Sequence, residues 1–518
     1  MARGRVSETE TIQTAVLELL ATEVTKEAPL MAGSLDSLGA TELVRVVRTR
    51  CSVELSPTTL FDHPTVESLA KHVASLLAVD ATDDDQQPEK DVATETDSEL
   101  VLEITSTAAL LPVRDRSCAA GDLWGLSQDG CVTCGSVPLA RWDADRVETR
   151  RFSSDVVARA GYGSFLSAEL SWFDGAFFRM KPAEAVPLEP QQRMLLEVGY
   201  EAVHRGGSRR ASLGESNVGS FTGMMNMDAA SQLPAEPGPY DLTGVGYSAA
   251  GARLSYAFAM RGPCVVVDTA CSSSLIAVHL ARRSLQHGEC SGVVVAGPNA
   301  ILAPAAHVGP ALAGMTSARG RCHTMDSRAD GYARGEGCGA ISMKPGGRDS
   351  TIRFRGSSAR HNGRSASFTA LNGASQQLLL RRASSDASCK AESTGVVEAH
   401  GTGTALGDPI EMSAIAAVAS SKKSALSVVA VKANVGHMES TAGVAGVLRI
   451  VELITRTAWV ANAQLRRLNG QVGSVRRKDV VFVGTDAAGT VGVERLGGVS
   501  SFGWSGIIAH GVCFSSLE

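Results

Sequence analysis

Apolar residues recur at two different periods along this chain, and the change of period divides it. Near the start, Ile12, Val16, Leu19 and Leu20 fall on one helical face, and Val66, Leu69, Ala70, Val73, Leu76 and Leu77 do so over a longer stretch. Leu38 to Val47 predicts a third helix, opened by Leu35-Asp36-Ser37, with Ser37 where an N-cap or first-turn residue belongs. Pro57 and Pro64 bracket a short helical turn around Leu60-Phe61, so residues 1–79 predict a compact bundle of three long helices and one short one.

Residues 80–98 lose their large apolar groups and gain acids, as in Asp83-Asp84-Asp85. Such a stretch cannot bury enough surface to offset its ordering entropy. It predicts a flexible linker whose ends lie about 25 Å apart on random-coil scaling. From residue 99 to 518 short β-branched runs alternate with helical stretches. Val293–Val295, Val396-Val397, Ser427–Val431 and Val480–Val483 are strand candidates, and the alternation predicts an α/β domain with buried sheets.

Three positions in the large domain bring chemistry into this pattern. Cys271 lies between the apolar run Cys264–Val267 and the uncharged stretch Ser272–Val278, which reads as strand, sharp turn and buried helix. At a helix N-terminus, unpaired N–H groups and the helix dipole favour thiolate, the form that attacks carbonyl carbon. A buried structural cysteine is the competing account. His400 and His437 each follow a strand-like run at a Gly-rich turn, within Glu398-Ala-His400-Gly-Thr402-Gly-Thr404 and Lys432-Ala-Asn-Val-Gly-His437. A lone histidine is usually a satisfied core residue, but two at strand ends with a candidate nucleophile at a third suggest a constructed site.

Asp268-Thr-Ala-Cys271-Ser-Ser-Ser and the two histidine segments resemble the three signatures of the β-ketoacyl synthase domain of modular polyketide synthases. Glu189-Pro-Gln-Gln-Arg193, Arg253-Leu-Ser-Tyr256, Arg328 to Gly337 and Gly498-Val-Ser-Ser-Phe-Gly503 agree in order, so the likeness covers roughly residues 99–516. The resemblance implies a thiolase-like five-layer αβαβα fold of two similar βα halves, in a homodimer. It implies decarboxylative Claisen condensation of a Cys271-bound acyl group with a malonyl-type extender, giving a polyketide or fatty acid chain longer by two carbons. Cys271 and Phe502 would supply oxyanion N–H groups, with Phe502 also matching a gating aromatic, and His400 and His437 would stabilise the enolate. Lys432 would support the histidines, a solvated surface lysine being the alternative. Thr402 and Thr404 would contact pantetheine, or simply cap their turn. Asp408 is expected to fix loop geometry, and His510 to be structural.

Met31-Ala-Gly-Ser-Leu-Asp36-Ser37-Leu38, followed by Leu60-Phe61-Asp-His-Pro64-Thr, resembles an acyl carrier protein. That likeness implies 4'-phosphopantetheine esterified to Ser37. Departures from the synthase pattern are also present. Ser106–Pro112 replaces the usual opening strand, Arg360-His-Asn-Gly-Arg364 replaces Asn-Gln-Asp-Gly-Arg, and Ile507-Ile508 replaces a Thr-Asn pair, a change expected to alter hydrogen bonding beside the site. Two competing readings remain: an acyl-transfer synthase that does not elongate, and an inactive docking scaffold.

Composition acts mainly by exclusion. At 518 residues the chain holds about three domain-sized units. A net charge of −5 implies no general attraction to nucleic acid or anionic membrane. No run of 18 or more apolar residues appears. The first residues lack the apolar core of a secretory signal, and eleven irregularly spaced cysteines suit a reducing compartment, so an intracellular, cytoplasmic chain is expected. Cys131-Val-Thr-Cys134 has no matching second pair, and no metal is expected. No Gly-x-Ser-x-Gly elbow is complete, since Gly503-Trp-Ser505-Gly fails at Ile507. A reductase's Gly-x-Gly-x-x-Gly is also missing. The expected partners are therefore acyl- and malonyl-loaded carrier proteins, with an acyltransferase and a phosphopantetheinyl transferase acting in trans.

Overall fold

A computed structural model describes residues 43, 44, 46–49, 51, 53, 55, 59–78, 100–113, 116–118, 123–144, 152–166, 170–226, 228, 238–347, 349–421, 425–458, 460–475, 481–483 and 495–517. The first predicted helix, Ser37 and the acidic linker lie outside these. Two compact units are present, residues 1–99 with 361–376, and residues 100–360 with 377–518.

In the first unit, residues 43, 44 and 46–49 are helical, and the helices Thr59–Asp62 and Val66–Ala78 follow where the apolar spacing predicts them. Leu43, Val44, Val47, Leu60, Val66, Leu69, Ala70 and Val73 form their common core. Thr65 caps the longer helix. Its Oγ1 accepts the Ser68 N–H at 3.1 Å while Ser68 Oγ accepts the Thr65 N–H at 3.0 Å, so two end donors are satisfied reciprocally.

The second unit is built twice on one plan. Strands β1 (Leu102–Val113), β2 (Val218–Gly223), β3 (Cys264–Val267), β4 (Gly292–Asn299) and β5 (Gly337–Pro345) make the first half. Strands β6 (Ile352–His361), β7 (Val396–Glu398), β8 (Leu426–Val429), β9 (Val481–Val483), β10 (Leu496–Phe502) and β11 (Ile507–Ser515) make the second. The first half is ordered β1-β5-β4-β2-β3 and the second β6-β11-β10-β7-β8, with β9 added outside β8. In both, the last three strands run parallel, and an antiparallel strand joins them on the other side. The sheets of the two halves join where β1 meets β6, at the register pair Glu103 and Arg353.

Helices Ser273–Gln286 and Ala442–Arg456 pack on each other and on strands of both halves, which places them in the middle layer. Helices Pro190–Arg205 and Tyr247–Phe258 cover the outer face of the first half. Met412, Ile415 and Ala416 cover β7 and β8, while Ala383 and Ala387 pack against Leu496 and Val512. These are the αβαβα layers that the resemblance implies, and every residue of β4 is buried, as a strand covered on both faces requires. Among the described residues no helix is long and apolar enough to cross a membrane.

Candidate active site

The candidate residues lie beyond the carboxyl ends of parallel strands. β3 ends at Val267, and Asp268, Thr269 and Ala270 turn the chain into the helix Ser273–Gln286. Ala270 takes φ 57°, a left-handed conformation that costs a non-glycine residue of order 1–3 kcal/mol. The turn is held by its own polar groups. Asp268 Oδ1 accepts the Ala270 N–H at 2.9 Å, and Ser273 Oγ accepts the Thr269 N–H at 2.9 Å while donating to the Ala270 carbonyl at 2.6 Å. Cys271 is thereby fixed at the start of the helix, 6% exposed, with its carbonyl accepting Ser501 Oγ at 2.7 Å.

Burial outweighs the helix terminus in setting the state of this thiol. The Cys271 sulfhydryl is pushed up to about 12, first by burial and then by the charge of Glu439. Lys432 and the N–H groups of Trp504 and Cys271 act in the opposite sense. The resting Cys271 side chain is a thiol, contrary to the expectation from the helix dipole alone. Alkylation by iodoacetamide is expected to rise roughly tenfold per pH unit between about 7 and 9 without a plateau, because only thiolate reacts. A plateau near neutrality would show that burial does not control the group.

His400 follows β7. Both oxygens of Glu411, in the helix Gly407–Val418, accept backbone N–H groups of this loop, from His400 at 2.7 Å and from Gly401 at 2.8 Å. His437 follows β8, the strand equivalent to β3, after the short helix Lys432–Val435. The two imidazoles meet edge to face at a centroid distance of 5.4 Å and 87°. Burial, then the Lys432 charge, holds both well below the ordinary histidine range, so both are neutral. Nδ1 of His400 accepts the Phe502 N–H at 3.3 Å, which leaves the proton on Nε2 as a free donor.

Lys432 is only 2% exposed, which removes the account of a solvated surface lysine. Its charge bears on Cys271, His400, His437 and three buried carboxyls. Those carboxyls hold the framework. Glu398 Oε1 accepts the Val431 N–H at 2.7 Å, and Asp408 accepts Met325 N–H at 2.7 Å and Gly403 N–H at 3.1 Å. Burial pushes Glu398 and Glu411 up to about 7 and Asp408 to about 6.

The model of the β-ketoacyl synthase N-terminal domain matches residues 102–347, and that of the C-terminal domain matches residues 352–466. The chain belongs to the β-ketoacyl synthase family. A phosphopantetheine attachment site model also matches residues 10–73, which implies a covalently attached 4'-phosphopantetheine. A phenolphthiocerol/phthiocerol polyketide synthase of Mycobacterium tuberculosis is 37% identical over 75% of this chain and 18% of its own length. An erythronolide synthase of Saccharopolyspora erythraea is 33% identical over 97% of this chain and 14% of its own. The chain thus spans less than a fifth of the length of these relatives. Among solved structures, the ketosynthase from module 6 of the Bacillus subtilis bacillaene synthase is similar, with TM-score 0.71 and 28% identity over 81% of this chain and 72% of that one. An oxazolomycin ketosynthase domain of Streptomyces albus gives 0.72 and 27%, over 81% and 75%.

This ketosynthase brings Cys271, His400, His437 and Lys432 together, but it arranges the Phe502 segment differently from expectation. Phe502 ends β10 with its N–H turned to His400 and its ring, 4% exposed, packed with Leu379 and Ile508. The hairpin turn beyond it presents the Trp504 N–H to the Cys271 sulfur instead. Trp504 is also the half-exposed aromatic of the loop, at 45%. Phe502 therefore turns its N–H to His400 and not to Cys271, because the chain reverses between Gly503 and Gly506.

Thr404 Oγ1 accepts the Gly407 N–H at 3.2 Å and lies 3.4 Å from Thr402 Oγ1, so it caps the turn into the next helix. His510 is buried against Ser500 Oγ at 2.9 Å, away from the other two histidines in the hydrogen-bond network. The Ile507-Ile508 exchange leaves the loop anchored through its backbone. Ser272 Oγ donates to the Ile507 carbonyl at 2.9 Å and the Gly503 N–H does so at 2.8 Å. Cys134 is buried beside Cys322 and Ala333, whereas Cys131 is exposed.

Proposed function

We propose that this chain extends polyketide chains by decarboxylative condensation, with residues 1–79 as its carrier, 80–98 as a linker and 99–518 as the condensing domain. The observation that carries this reading is the convergence of a buried thiol and two neutral imidazoles at the ends of β3, β7 and β8. The Cys271 sulfur attacks the carbonyl carbon of an incoming acyl thioester, and collapse of the tetrahedral intermediate breaks the bond to the donor's sulfur, which leaves as a thiol carrying the proton that Cys271 gives up. The N–H groups of Cys271 and Trp504 receive the oxygen of the tetrahedral intermediate, where preorganised donors act most strongly. The extender's carboxylate departs as CO₂, and His400 Nε2–H with the His437 ring stabilises the enolate oxygen. Attack of the enolate carbon on the Cys271 acyl carbon releases the sulfur, which regains a proton, and leaves a β-ketoacyl thioester.

Ser37 supplies the hydroxyl that would hold 4'-phosphopantetheine, and the Thr402 hydroxyl, on the Gly-rich turn after His400, would contact its amides. When attached, the prosthetic group supplies a thiol that holds acyl chains as thioesters. Acyl- and malonyl-loaded carriers are the substrates, an acyltransferase and a phosphopantetheinyl transferase act in trans, and the cytoplasm is the compartment. A homodimer is supported by β3, an apolar Cys264–Val267 strand left at the sheet edge, where unpaired backbone groups are a template for another chain.

Intact-protein mass spectrometry with a phosphopantetheinyl transferase tests the carrier. Ser37→Ala is expected to lose the pantetheine adduct completely while Cys271 still takes an acyl group from a soluble acyl-pantetheine. Release of labelled CO₂ from a malonyl carrier with a two-carbon gain in product tests condensation. An acyl adduct at Cys271 with no CO₂ and no extended product would overturn it.

A further inference from the structure

Neither nitrogen of the His437 ring has a hydrogen-bond partner among the described residues, so its backbone and ring packing alone set its orientation. That backbone is gripped on both sides. The His437 N–H donates to the Ala333 carbonyl at 2.7 Å, and its own carbonyl accepts the Gly335 N–H at 2.8 Å. Arg334, between those two partners, reaches past His437 to Glu439. The pair is bidentate, Nε to Oε1 at 2.6 Å and Nη2 to Oε2 at 2.8 Å, and both residues are 1% exposed.

The pair is itself held in place. Arg334 Nη1 donates to the Ala306 carbonyl at 3.0 Å and to His307 Nδ1 at 3.3 Å, and His307 Nε2 lies 3.1 Å from the Tyr162 carbonyl. Asn226 Nδ2 donates to Glu439 Oε2 at 3.2 Å. Glu439 takes φ 45°, a left-handed conformation for a residue with a side chain. Buried ion pairs of this kind are often replaceable by apolar side chains without loss of stability. Stability alone therefore does not account for one gripping both flanks of a catalytic imidazole.

We propose that the Arg334–Glu439 pair is a clamp that positions His437 for decarboxylation and sets the electrostatic field at the Cys271 sulfur. The inference rests on the condensing reading above. Arg334 and Glu439 are positioning residues, acting through the strap between residues 436 and 441. Their charges also reach the two reacting groups in opposite senses. Glu439 raises the thiol, whereas Arg334 helps keep His437 neutral. The groups facing Cys271 are Glu439, Lys432 and Tyr332; those facing His437 are Lys432, Arg334, His400 and Tyr332; and those facing Glu439 are Arg334, Asp228 and Tyr332.

The test compares the full chain with Glu439→Gln and with the double variant Arg334→Met/Glu439→Met, reading melting temperature, Cys271 acylation, malonyl-thioester decarboxylation and the pH profile of alkylation. The double variant is expected to melt near the wild type and to acylate. Its decarboxylation is expected to fall ~10²-fold, the scale of an ångström-level misplacement. Its alkylation profile, and that of Glu439→Gln, is expected to move to lower pH because the carboxylate charge is gone. If the double variant fails to fold, Glu439→Gln carries the same two readouts. Wild-type decarboxylation or an unmoved profile in a folded variant would overturn the clamp. A wild-type protein that decarboxylates nothing overturns the condensing reading instead, and the alkylation shift still decides the clamp.

Discussion

Cys271→Ala is expected to lose the acyl adduct entirely and to reduce condensation to background, while the pantetheine adduct at Ser37 persists. The turn that carries the Cys271 sulfur does not depend on it. Asp268, Ser273 and Ser501 fix its backbone through hydrogen bonds in which the Cys271 sulfur takes no part. Removing one buried sulfur leaves a small void, costing about 1–2 kcal/mol, and the fold should survive. The chemistry should not, because the sulfur at the helix start is gone; Cys322, whose sulfur shares the Ala333 carbonyl with the His437 N–H, is tied to that backbone and pushed up by burial, and Cys134 is buried beside it. Decarboxylation is expected to persist in this variant, because neither His400 nor His437 is held by the sulfur. Circular dichroism with acyl-adduct mass spectrometry separates the outcomes, and an acyl adduct that survives in a Cys271→Ala, Ser37→Ala double variant would sink the assignment of Cys271 as nucleophile.

What was legible in the sequence was local. Cys264–Val267, Val396-Val397 and Ser427–Val431 are short apolar runs, and they became the strands Cys264–Val267, Val396–Glu398 and Leu426–Val429, each leading into the loop that carries Cys271, His400 or His437. The same holds for Ser106–Pro112, which lies within β1 despite its departure from the family's wording. What was not legible depends on parts of the chain that meet only on folding. Arg334 and Glu439 are 105 positions apart, and nothing in their own segments marks them as a pair. Glu411 lies one helix beyond His400, with no spacing rule that points its carboxylate back to that loop. Phe502 rather than Trp504 was the natural expectation for the oxyanion donor, since only the reversal at Gly503 to Gly506 decides which N–H meets the sulfur. The thiol's high resting value was hidden for the same reason: a helix terminus can be read from sequence, but burial by the second half of the domain cannot.

Gly223→Ala is expected to cost about 3 kcal/mol and to cut Cys271 acylation ~10²-fold, although residue 223 touches no substrate. Gly223 closes β2, and a Cβ there would stand 2.3 Å from the Ser274 nitrogen and 2.4 Å from the Ser273 carbonyl carbon. Those are backbone atoms of the helix that Cys271 opens, so no rotamer change relieves the contact. Either β2 or the helix must move. β2 pairs with both β3 and β4 and cannot shift without breaking a ladder on each side. The helix is the cheaper element to displace, and moving it carries Cys271 away from Trp504 and from the Ser501 hydroxyl that holds its carbonyl. Gly125→Ala serves as the control, because Gly125 lies in the helix Leu123–Gln128 with nothing within 4 Å of the added carbon. It should stabilise by ~0.5–1 kcal/mol through helix propensity alone. Thermal melts with acylation rates measure both, and a Gly223→Ala protein that melts and acylates like the wild type would show that β2 does not fix the nucleophile's position.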